Sequence, residues 1–269
     1  MSVAMVTGPN SGIGLVIARS LAERGYHVVA AGRSEQRIAP VVAEIKDSGG
    51  SAEFLHLDLA TLDSAKAAAV AFEKTGRTLD VLVNNAGIGV NRRGLTKDGF
   101  DVHFGINHLG HFMLTHHLQR TFRPGTRIVQ VASSVHDRAE GIDFDRVQRK
   151  SSVGGLREYA VSKLANVLFV REMARREPDW RLYAVHPGLV NTKLIPGIVR
   201  VFYRSQMLTP SQGADTPLWC ATSDDVADES GNYYAKRKAR TPSPVALDDD
   251  LAAELWRRSE LWCGVAPQH

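Results

Sequence analysis

Residues 2–14 read Ser-Val-Ala-Met-Val-Thr-Gly-Pro-Asn-Ser-Gly-Ile-Gly, and this stretch decides the fold of the chain. It joins a short apolar run, Ser2–Thr7, to a glycine-rich turn and to an apolar segment of helical period, Gly12–Arg24. A continuous apolar run indicates a buried parallel strand, and the period that follows indicates a helix. The stretch therefore predicts the first strand–turn–helix unit of a doubly wound sheet. Its three glycines allow backbone amides to approach a pyrophosphate at the helix N-terminus.

The same alternation of strand and helix continues along the chain. Further buried strands are predicted at His27–Ala31, Ala52–Leu57, Asp80–Asn84, Arg127–Ala132 and Trp180–Val185. Strict β-α alternation with right-handed crossovers predicts an α/β, doubly wound parallel sheet of the Rossmann type. The sequence contains no linker, so we expect a single NADP-binding domain over residues 1–269.

The helices of the second half carry clear signals. Long helices are predicted over Asp98–Phe122 and Leu156–Arg176, and Thr209-Pro-Ser-Gln212 is a capping box that opens another helix. Asp248 is expected to cap the last helix, which follows a short candidate strand at Asn232–Ala235. The apolar segment Leu194–Leu208, broken by Pro196 and Gly197, predicts a helical substrate lid after the sixth strand.

Composition limits the classes of function. The net charge is +4. We expect this small excess of basic residues to be spread out, so it is only weak evidence for an anionic partner. Two cysteines favour a reducing, cytoplasmic location over a disulfide framework. No signal peptide or membrane-length apolar run is present, and the basic cluster at 236–240 is too narrow for a nucleic-acid footprint. His108, His111, His116 and His117 share one predicted helix but lack further ligands, so no metal site is expected.

The end of the second strand predicts the choice of dinucleotide. NAD is recognised there by an acidic residue, but this chain has Gly32-Arg33-Ser34. An arginine can clamp the 2′-phosphate of NADP(H) by charge-assisted hydrogen bonds. We therefore expect NADP(H) rather than NAD(H).

Tyr159 and Lys163 lie four residues apart in Tyr-Ala-Val-Ser-Lys, within a predicted helix. Residues i and i+4 share one face of a helix, so the ammonium is expected to lower the pKa of the phenol. Tyr159 would then exchange a proton with an alcohol or ketone near neutral pH. Considered alone, Tyr159 and Lys163 could be two surface residues without a catalytic role.

Taken together, these motifs resemble the short-chain dehydrogenase/reductase family over nearly the whole chain. The resemblance implies a catalytic tetrad in which Tyr159 exchanges the proton, Lys163 holds the nicotinamide ribose and Asn107 positions a water. It assigns the oxyanion-stabilising hydroxyl to Ser134, although the residues alone leave Ser133 and Ser134 nearly even. The cofactor-binding residues that it and the loop imply are Gly8, Asn10, Ser11, Gly12, Ile13, Gly14, Arg33, Asp58, Leu59, Asn85, Ala86, Gly87, Tyr159, Lys163, Pro187, Gly188, Val190 and Thr192.

Two segments resemble the retinol dehydrogenase-like branch: Asn-His-Leu-Gly-His-Phe at 107–112 and Ser-Lys-Leu-Ala-Asn-Val-Leu-Phe at 162–169. Pro9 departs from the small residue usual in the loop, and the N-terminal anchor of animal members is absent. We expect a soluble, bacterial member, with a homodimer as one possible assembly, that transfers hydride between NADP(H) and a lipophilic alcohol, ketone or aldehyde. The alternatives are a ketoreductase of a polyketide or other secondary-metabolite pathway and a non-catalytic NADP-binding regulator.

Overall fold

The computed structural model describes residues 1–191 and 207–266. Within them, eight strands form one sheet in the order β3-β2-β1-β4-β5-β6-β7-β8. All neighbouring pairs are parallel except β7 and β8, which are antiparallel. The strands are β1 (Val3–Thr7), β2 (His27–Gly32), β3 (Ser51–His56), β4 (Val81–Asn84), β5 (Arg127–Val131), β6 (Arg181–His186), β7 (Asn232–Ala235) and β8 (Lys238–Arg240).

Helices cover both faces of the sheet and bury two apolar clusters, one on each side. One face carries α1, α2 and α7, and the other carries α3, α5, α6 and α8. The helices are α1 (Gly12–Glu23), α2 (Glu35–Asp47), α3 (Leu62–Glu73), α4 (Val102–Phe104), α5 (Gly110–Leu118), α6 (Leu156–Arg176), α7 (Pro210–Thr222) and α8 (Asp249–Cys263). The predicted doubly wound α/β fold is confirmed.

The predicted continuous helix Asp98–Phe122 is wrong at both ends and in its middle. It begins only at Val102, because the Asp101 carboxylate caps it by accepting from the amides of His103 and Phe104. A π-helical segment, Gly105–Leu109, separates α4 from α5. The chain packs tightly at the end of that segment, since a Cβ on Gly110 would lie 2.6 Å from the carbonyl oxygen of Leu59. We call α4, the π segment and α5 together the interrupted helix, residues 102–118.

The other helix predictions of the second half are confirmed. Helix α6 has the predicted bounds, and α7 begins behind the predicted capping box. Thr209 N donates to Gln212 Oε1 at 2.9 Å, and Gln212 N donates to Thr209 Oγ1 at 3.2 Å. Most of the predicted lid Leu194–Leu208, and the predicted cofactor residue Thr192, lie outside the described residues.

Strand β8 was not predicted. It is three residues long and pairs with β7 through a turn in which Lys236 and Arg237 have φ of +54° and +53°. Such a turn is normally signalled by Asn-Gly or Asp-Gly. This turn has Lys236-Arg237 instead, so the hairpin could not be recognised from the sequence.

Candidate active site

The glycine-rich loop lies at the carboxyl edge of the sheet, next to the point where the strand order reverses between β1 and β4. It forms one wall of a cleft of about 290 Å³. Gly8 and Gly12 have φ of +68° and +59°, and a Cβ on Gly14 would lie 2.4 Å from the carbonyl oxygen of Gly8. The predicted cofactor residues that line this cleft are Gly8, Asn10, Ser11, Gly12, Ile13, Gly14, Arg33, Asp58, Leu59, Asn85, Ala86 and Gly87.

The N-terminus of α1 opens into this cleft. Its N-cap residue, Ser11, makes no side-chain cap hydrogen bond, and no acidic residue lies in the first turn. Free amides and the positive end of the helix dipole favour an anion at such a position. Arg33 is exposed at the rim and makes no ion pair within residues 1–191 and 207–266. The cleft therefore fits a dinucleotide whose phosphates face α1 and Arg33.

Thr7 ties the cleft floor to β4. Its hydroxyl oxygen accepts hydrogen bonds from the amides of Asn85 and Ala86, at 3.0 and 2.9 Å. The Asn85 side chain donates back to the carbonyl oxygen of Thr7 at 2.9 Å. The segment Asn84-Asn85-Ala86-Gly87 is thus fixed against the glycine-rich loop by a closed set of hydrogen bonds.

His111 extends this set to the interrupted helix. Its Nδ1 lies 3.1 Å from the carbonyl oxygen of Asn107, and its Nε2 lies 3.0 Å from Thr7 Oγ1. A carbonyl only accepts, so Nδ1 carries the hydrogen. Burial lowers the pKa of His111 to about 4 and keeps the ring neutral. Nε2 is then the acceptor for the single hydroxyl hydrogen of Thr7.

The Asn107 side chain joins the interrupted helix to two other parts of the site. Its Oδ1 accepts from the amide of Ile88 at 2.8 Å, and its Nδ2 donates to Ser162 Oγ on α6 at 3.0 Å. The side chain is fully buried. Gly87 leaves the room for it, since a Cβ there would lie 2.9 Å from Asn107 Oδ1.

Tyr159 and Lys163 share one face of α6, as predicted. Lys163 Nζ lies 5.8 Å from the centre of the Tyr159 ring and donates to the carbonyl oxygen of Val131, at the end of β5, at 2.9 Å. Burial lowers the pKa of Lys163 to about 8. Burial also raises the pKa of Tyr159, and the hydrogen bond with Ser133 offsets this only in part. The expectation that Lys163 brings the phenol below its ordinary pKa is therefore wrong for the residues of this chain.

Ser133, and not Ser134, contacts the phenol. The Ser133 hydroxyl hydrogen-bonds Tyr159, and its oxygen accepts from the amide of Val135 at 3.2 Å. Ser134 is exposed, and its amide donates to Nδ1 of His186 at 3.3 Å. The contact with Tyr159 favours Ser133 over the Ser134 that the resemblance assigns, and which serine serves the substrate stays a prediction.

The loop before α6 is held by side chains that the sequence analysis missed. Burial acts to raise the pKa of Glu158, but hydrogen bonds from Ser152 and Arg146 outweigh it and bring the pKa to about 2. Next to it, His103 lies with Nδ1 3.2 Å from Asp101 Oδ1 and Nε2 3.2 Å from the carbonyl oxygen of Gly89. The Asp that precedes the interrupted helix was the one available signal, as a helix N-cap.

The segment after β6 returns toward the glycine-rich loop. Gly188 has φ of +87° and turns the chain after Pro187. Val190 forms a β-bridge with Leu208, and its side chain faces the same space next to Gly213 as Ile13. Val190 is therefore close to the cleft residue Ile13, the roles of Pro187 and Gly188 stay predictions, and Thr192 lies outside the described residues.

The histidines of the interrupted helix have separate partners, since His108 Nε2 faces Ser259 Oγ at 3.2 Å while His111 faces Thr7. In the ranges 1–191 and 207–266, no group of three or more His, Cys, Asp or Glu side chains is placed to hold a metal ion. A search of the same residues finds no helix with the length and apolar character needed to span a membrane.

Comparison with known proteins agrees with this geometry. Residues 2–199 match the short chain dehydrogenase family. The chain is 40% identical to human dehydrogenase/reductase SDR family member 13 over 281 residues, covering 98% of this chain and 74% of the relative. It is 37% identical to human retinol dehydrogenase 11 over 265 residues, covering 94% and 83%.

A solved structure has the same architecture. The short chain dehydrogenase of Burkholderia cenocepacia, in complex with NADP, has 27% sequence identity and a TM-score of 0.72 over 92% of this chain and 98% of its own. The chain belongs to the short-chain dehydrogenase family, in its retinol dehydrogenase-like branch, and is an oxidoreductase of the class that acts on CH–OH groups.

Proposed function

We propose that the protein is an NADP(H)-dependent oxidoreductase for lipophilic alcohols, ketones or aldehydes, with Tyr159 as the general acid and base. One observation carries the proposal: the Tyr159 phenol meets the Ser133 hydroxyl one helical turn from the buried Lys163. Lys163 lies beside Gly87, which lines the cleft, since a Cβ on Gly87 would be 4.0 Å from Lys163 Nζ. When bound, the nicotinamide supplies or accepts the hydride.

The chain's own residues move the proton. Ser133 accepts from the Val135 amide, and in the complex its single hydroxyl hydrogen would turn from Tyr159 to a substrate oxygen that develops negative charge. The raised pKa of Tyr159 keeps the phenol protonated at neutral pH. A protonated phenol is the form that donates the proton in carbonyl reduction.

Lys163 and Asn107 act around the proton donor. Lys163 donates to the Val131 carbonyl oxygen, and its Nζ lies 5.8 Å from the centre of the Tyr159 ring. There it would bind the nicotinamide ribose. Asn107 holds both Ile88 and Ser162, so it fixes the distance between the cofactor strand β4 and α6. We propose Asn107 as the residue that keeps the two sides of the site in register.

Arg33 supports NADP(H) as the cofactor. It is exposed at the cleft rim next to Gly32, with no ion pair to any described residue. An exposed guanidinium there complements a 2′-phosphate, and the Burkholderia neighbour was solved with NADP. Cys220 and Cys263 are free and buried, which fits the proposed cytoplasmic location.

The lipophilic substrate is proposed from apolar side chains around the site. Leu189, directly after the Gly188 turn, is 41% exposed, and Ile88 and Ile106 line the cleft. Exposed apolar side chains beside a site of this kind favour a substrate that buries them. Bulky hydrophobic carbonyls should therefore have a higher kcat/KM than short hydrophilic ones.

Tyr159→Phe tests the reaction. The variant loses only the phenolic proton, so NADPH binding should persist while kcat falls by ~10²–10⁴-fold. Tyr26→Phe, the same change on the opposite edge of the sheet, is the control and should retain full activity. NADPH oxidation with a panel of ketones gives the rate, and cofactor fluorescence gives binding. Retention of more than a few per cent of activity in Tyr159→Phe would contradict the proton-transfer role.

A further inference from the structure

Two loops beside the candidate site pack directly against each other. The amide of Asn91 donates to the carbonyl oxygen of Gly154 at 2.8 Å, and Arg93 Nε donates to that of Ser151 at 3.3 Å. We call this surface, formed by residues 89–97 and 146–157, the paired-loop surface. Its second loop leads into the first turn of α6, which carries Tyr159.

The paired-loop surface is rich in basic residues, and acidic residues lie directly beyond its bounds at Asp98, Asp145 and Glu158. It contains seven Lys and Arg residues and no Asp or Glu: Arg92, Arg93, Lys97, Arg146, Arg149, Lys150 and Arg157. The chain has 33 basic and 29 acidic residues, so the rest of it holds 26 and 29, a net charge of −3.

Those charges are not neutralised within the fold. Within residues 1–191 and 207–266, Arg146 is the basic residue of this surface that forms an ion pair, with Glu158 at 3.1 Å. The sequence 192–206 contains no acidic residue, so it supplies no carboxylate either. Arg92, Arg93, Arg149, Lys150 and Arg157 are all exposed.

Apolar side chains project from the same loops. Val153 is 88% exposed, Leu156 is 42% exposed and Leu95 is 40% exposed. Val153 precedes two glycines, Gly154 and Gly155, with φ of +85° and +63°, which turn the chain sharply behind it. The loop is held in this shape by the two hydrogen bonds of Ser152 to Glu158, at 3.0 and 2.8 Å.

We propose that the paired-loop surface binds the surface of an anionic lipid bilayer. Clustered Lys and Arg side chains are attracted to anionic headgroups, and isolated exposed apolar side chains among them enter the interface. An acidic protein partner fits less well because neither 89–97 nor 146–157 contains an aromatic residue, although arginine is common at protein interfaces too. The surface borders the start of α6, so a bound bilayer would lie beside the candidate site.

Sedimentation with vesicles tests the proposal on the intact protein. Wild type should bind phosphatidylcholine vesicles that contain phosphatidylglycerol, bind pure phosphatidylcholine far more weakly, and detach near ~1 M salt, where the screening length falls to about 3 Å. The triple variant Arg92→Gln, Arg149→Gln, Lys150→Gln should bind roughly a hundredfold more weakly, at about fivefold per charge. Val153→Ser should weaken binding up to about tenfold.

A matched control removes the same charge from the opposite edge of the sheet. Arg24→Gln, Lys46→Gln, Lys74→Gln alters three exposed residues that precede β2, β3 and β4. It should change vesicle binding by less than about fivefold. Circular dichroism and thermal unfolding verify that each variant is folded.

Three outcomes would overturn the proposal. The first is no binding to anionic vesicles at low salt, and the second is equal weakening by the two triple variants, which would reveal an effect of net charge alone. The third is binding to polyglutamate that matches vesicle binding and does not respond to Val153→Ser, which would indicate an acidic protein partner. The assay uses neither cofactor nor carbonyl compound, so its result is independent of the proposed reaction.

Discussion

The two sides of the candidate site present different chemical groups, mainly backbone on one side and side chains on the other. On the cofactor side, β1–β4, the cleft is lined largely by glycines and backbone amides, with Arg33 as an exposed side chain at its rim. On the catalytic side, β5 and α6, Ser133 and Lys163 are buried and each makes defined hydrogen bonds. Main-chain recognition depends on backbone shape, whereas the catalytic side depends on single side chains. The difference implies that point substitutions act mainly on rate on one side and on cofactor choice on the other.

The interrupted helix connects the two sides. His111 links it to Thr7 on the cofactor side, and Asn107 links it to Ser162 on the catalytic side. Both residues lie in or next to the π-helical segment, and π turns within α-helices are frequent at functional sites. Substitutions there should act on both sides at once.

After Tyr159, the largest effect is expected at the two serines of the catalytic side. Ser133→Ala should lower kcat by ~10²–10³-fold, because it removes a donor aimed at the substrate oxygen. Ser134→Ala is the matched control and should stay close to wild type, since its side chain is exposed. Steady-state kinetics with one ketone ranks the two variants. The opposite ranking would restore the role to Ser134 and show that the serine turn rearranges on binding.

On the cofactor side, Arg33→Ala should change selectivity and leave kcat nearly intact. Loss of a charge-assisted hydrogen bond to phosphate costs about 1.5–3 kcal/mol, which is roughly 10–150-fold in the KM for NADPH. NADH has no 2′-phosphate, so its KM should hardly move. Equal weakening of both cofactors would mean that the guanidinium does not recognise the phosphate.

At the connection between the two sides, Asn107→Ala should lower both stability and rate. It leaves the buried amide of Ile88 without its acceptor, which costs about 1–3 kcal/mol of unfolding free energy. Asn166→Ala is a suitable control, because the Val131 carbonyl that Asn166 contacts keeps Lys163 as a donor. Urea unfolding and kcat/KM are measured on both variants. A cost at Asn107 no greater than that at Asn166 would argue that the interrupted helix does not join the two sides.

The smallest effect concerns pH. Burial lowers the pKa of His111 to about 4, below its unfolded value near ~6.5, so the unfolded chain takes up the proton first as the pH falls. This contribution to stability is complete above pH ~6.5 and is lost as the pH falls toward 4. His111→Gln keeps a donor and an acceptor but does not titrate. Its urea unfolding free energy should fall less than that of wild type between pH 7.5 and 5, by about 2 kcal/mol. Parallel pH profiles would show that His111 is not the titrating group.

The sequence predicted the cofactor side well because its signals are local. Glycine spacing, the strand before it and Arg33 lie within 33 residues, and the structure brings them to one cleft as expected. Helix α6 was also predicted to the residue, because apolar period and helix length agree over six turns. Whether these residues carry the proposed roles stays a prediction.

The catalytic side was predicted less completely because its decisive contacts are long-range. The choice between Ser133 and Ser134 depends on how the chain turns after β5 relative to α6, and no local pattern encodes that angle. The π-helical segment depends on the close packing of Gly105 against Thr96 and of Gly110 against Leu59. The pKa of Tyr159 depends on burial, which a helix-face argument leaves out.

Strand β8 has a consequence for the behaviour of the protein at high concentration. An open parallel sheet presents unpaired amides and carbonyls at its last strand, and such an edge is a template for pairing with another chain. Here the last strand is three residues long, antiparallel and fully exposed, and it carries Lys238 and Arg240. Short length and lysine-type charge are devices that discourage edge-to-edge pairing. The hairpin thus shields β7, whose Tyr233 and Tyr234 are buried, from acting as a seed for aggregation.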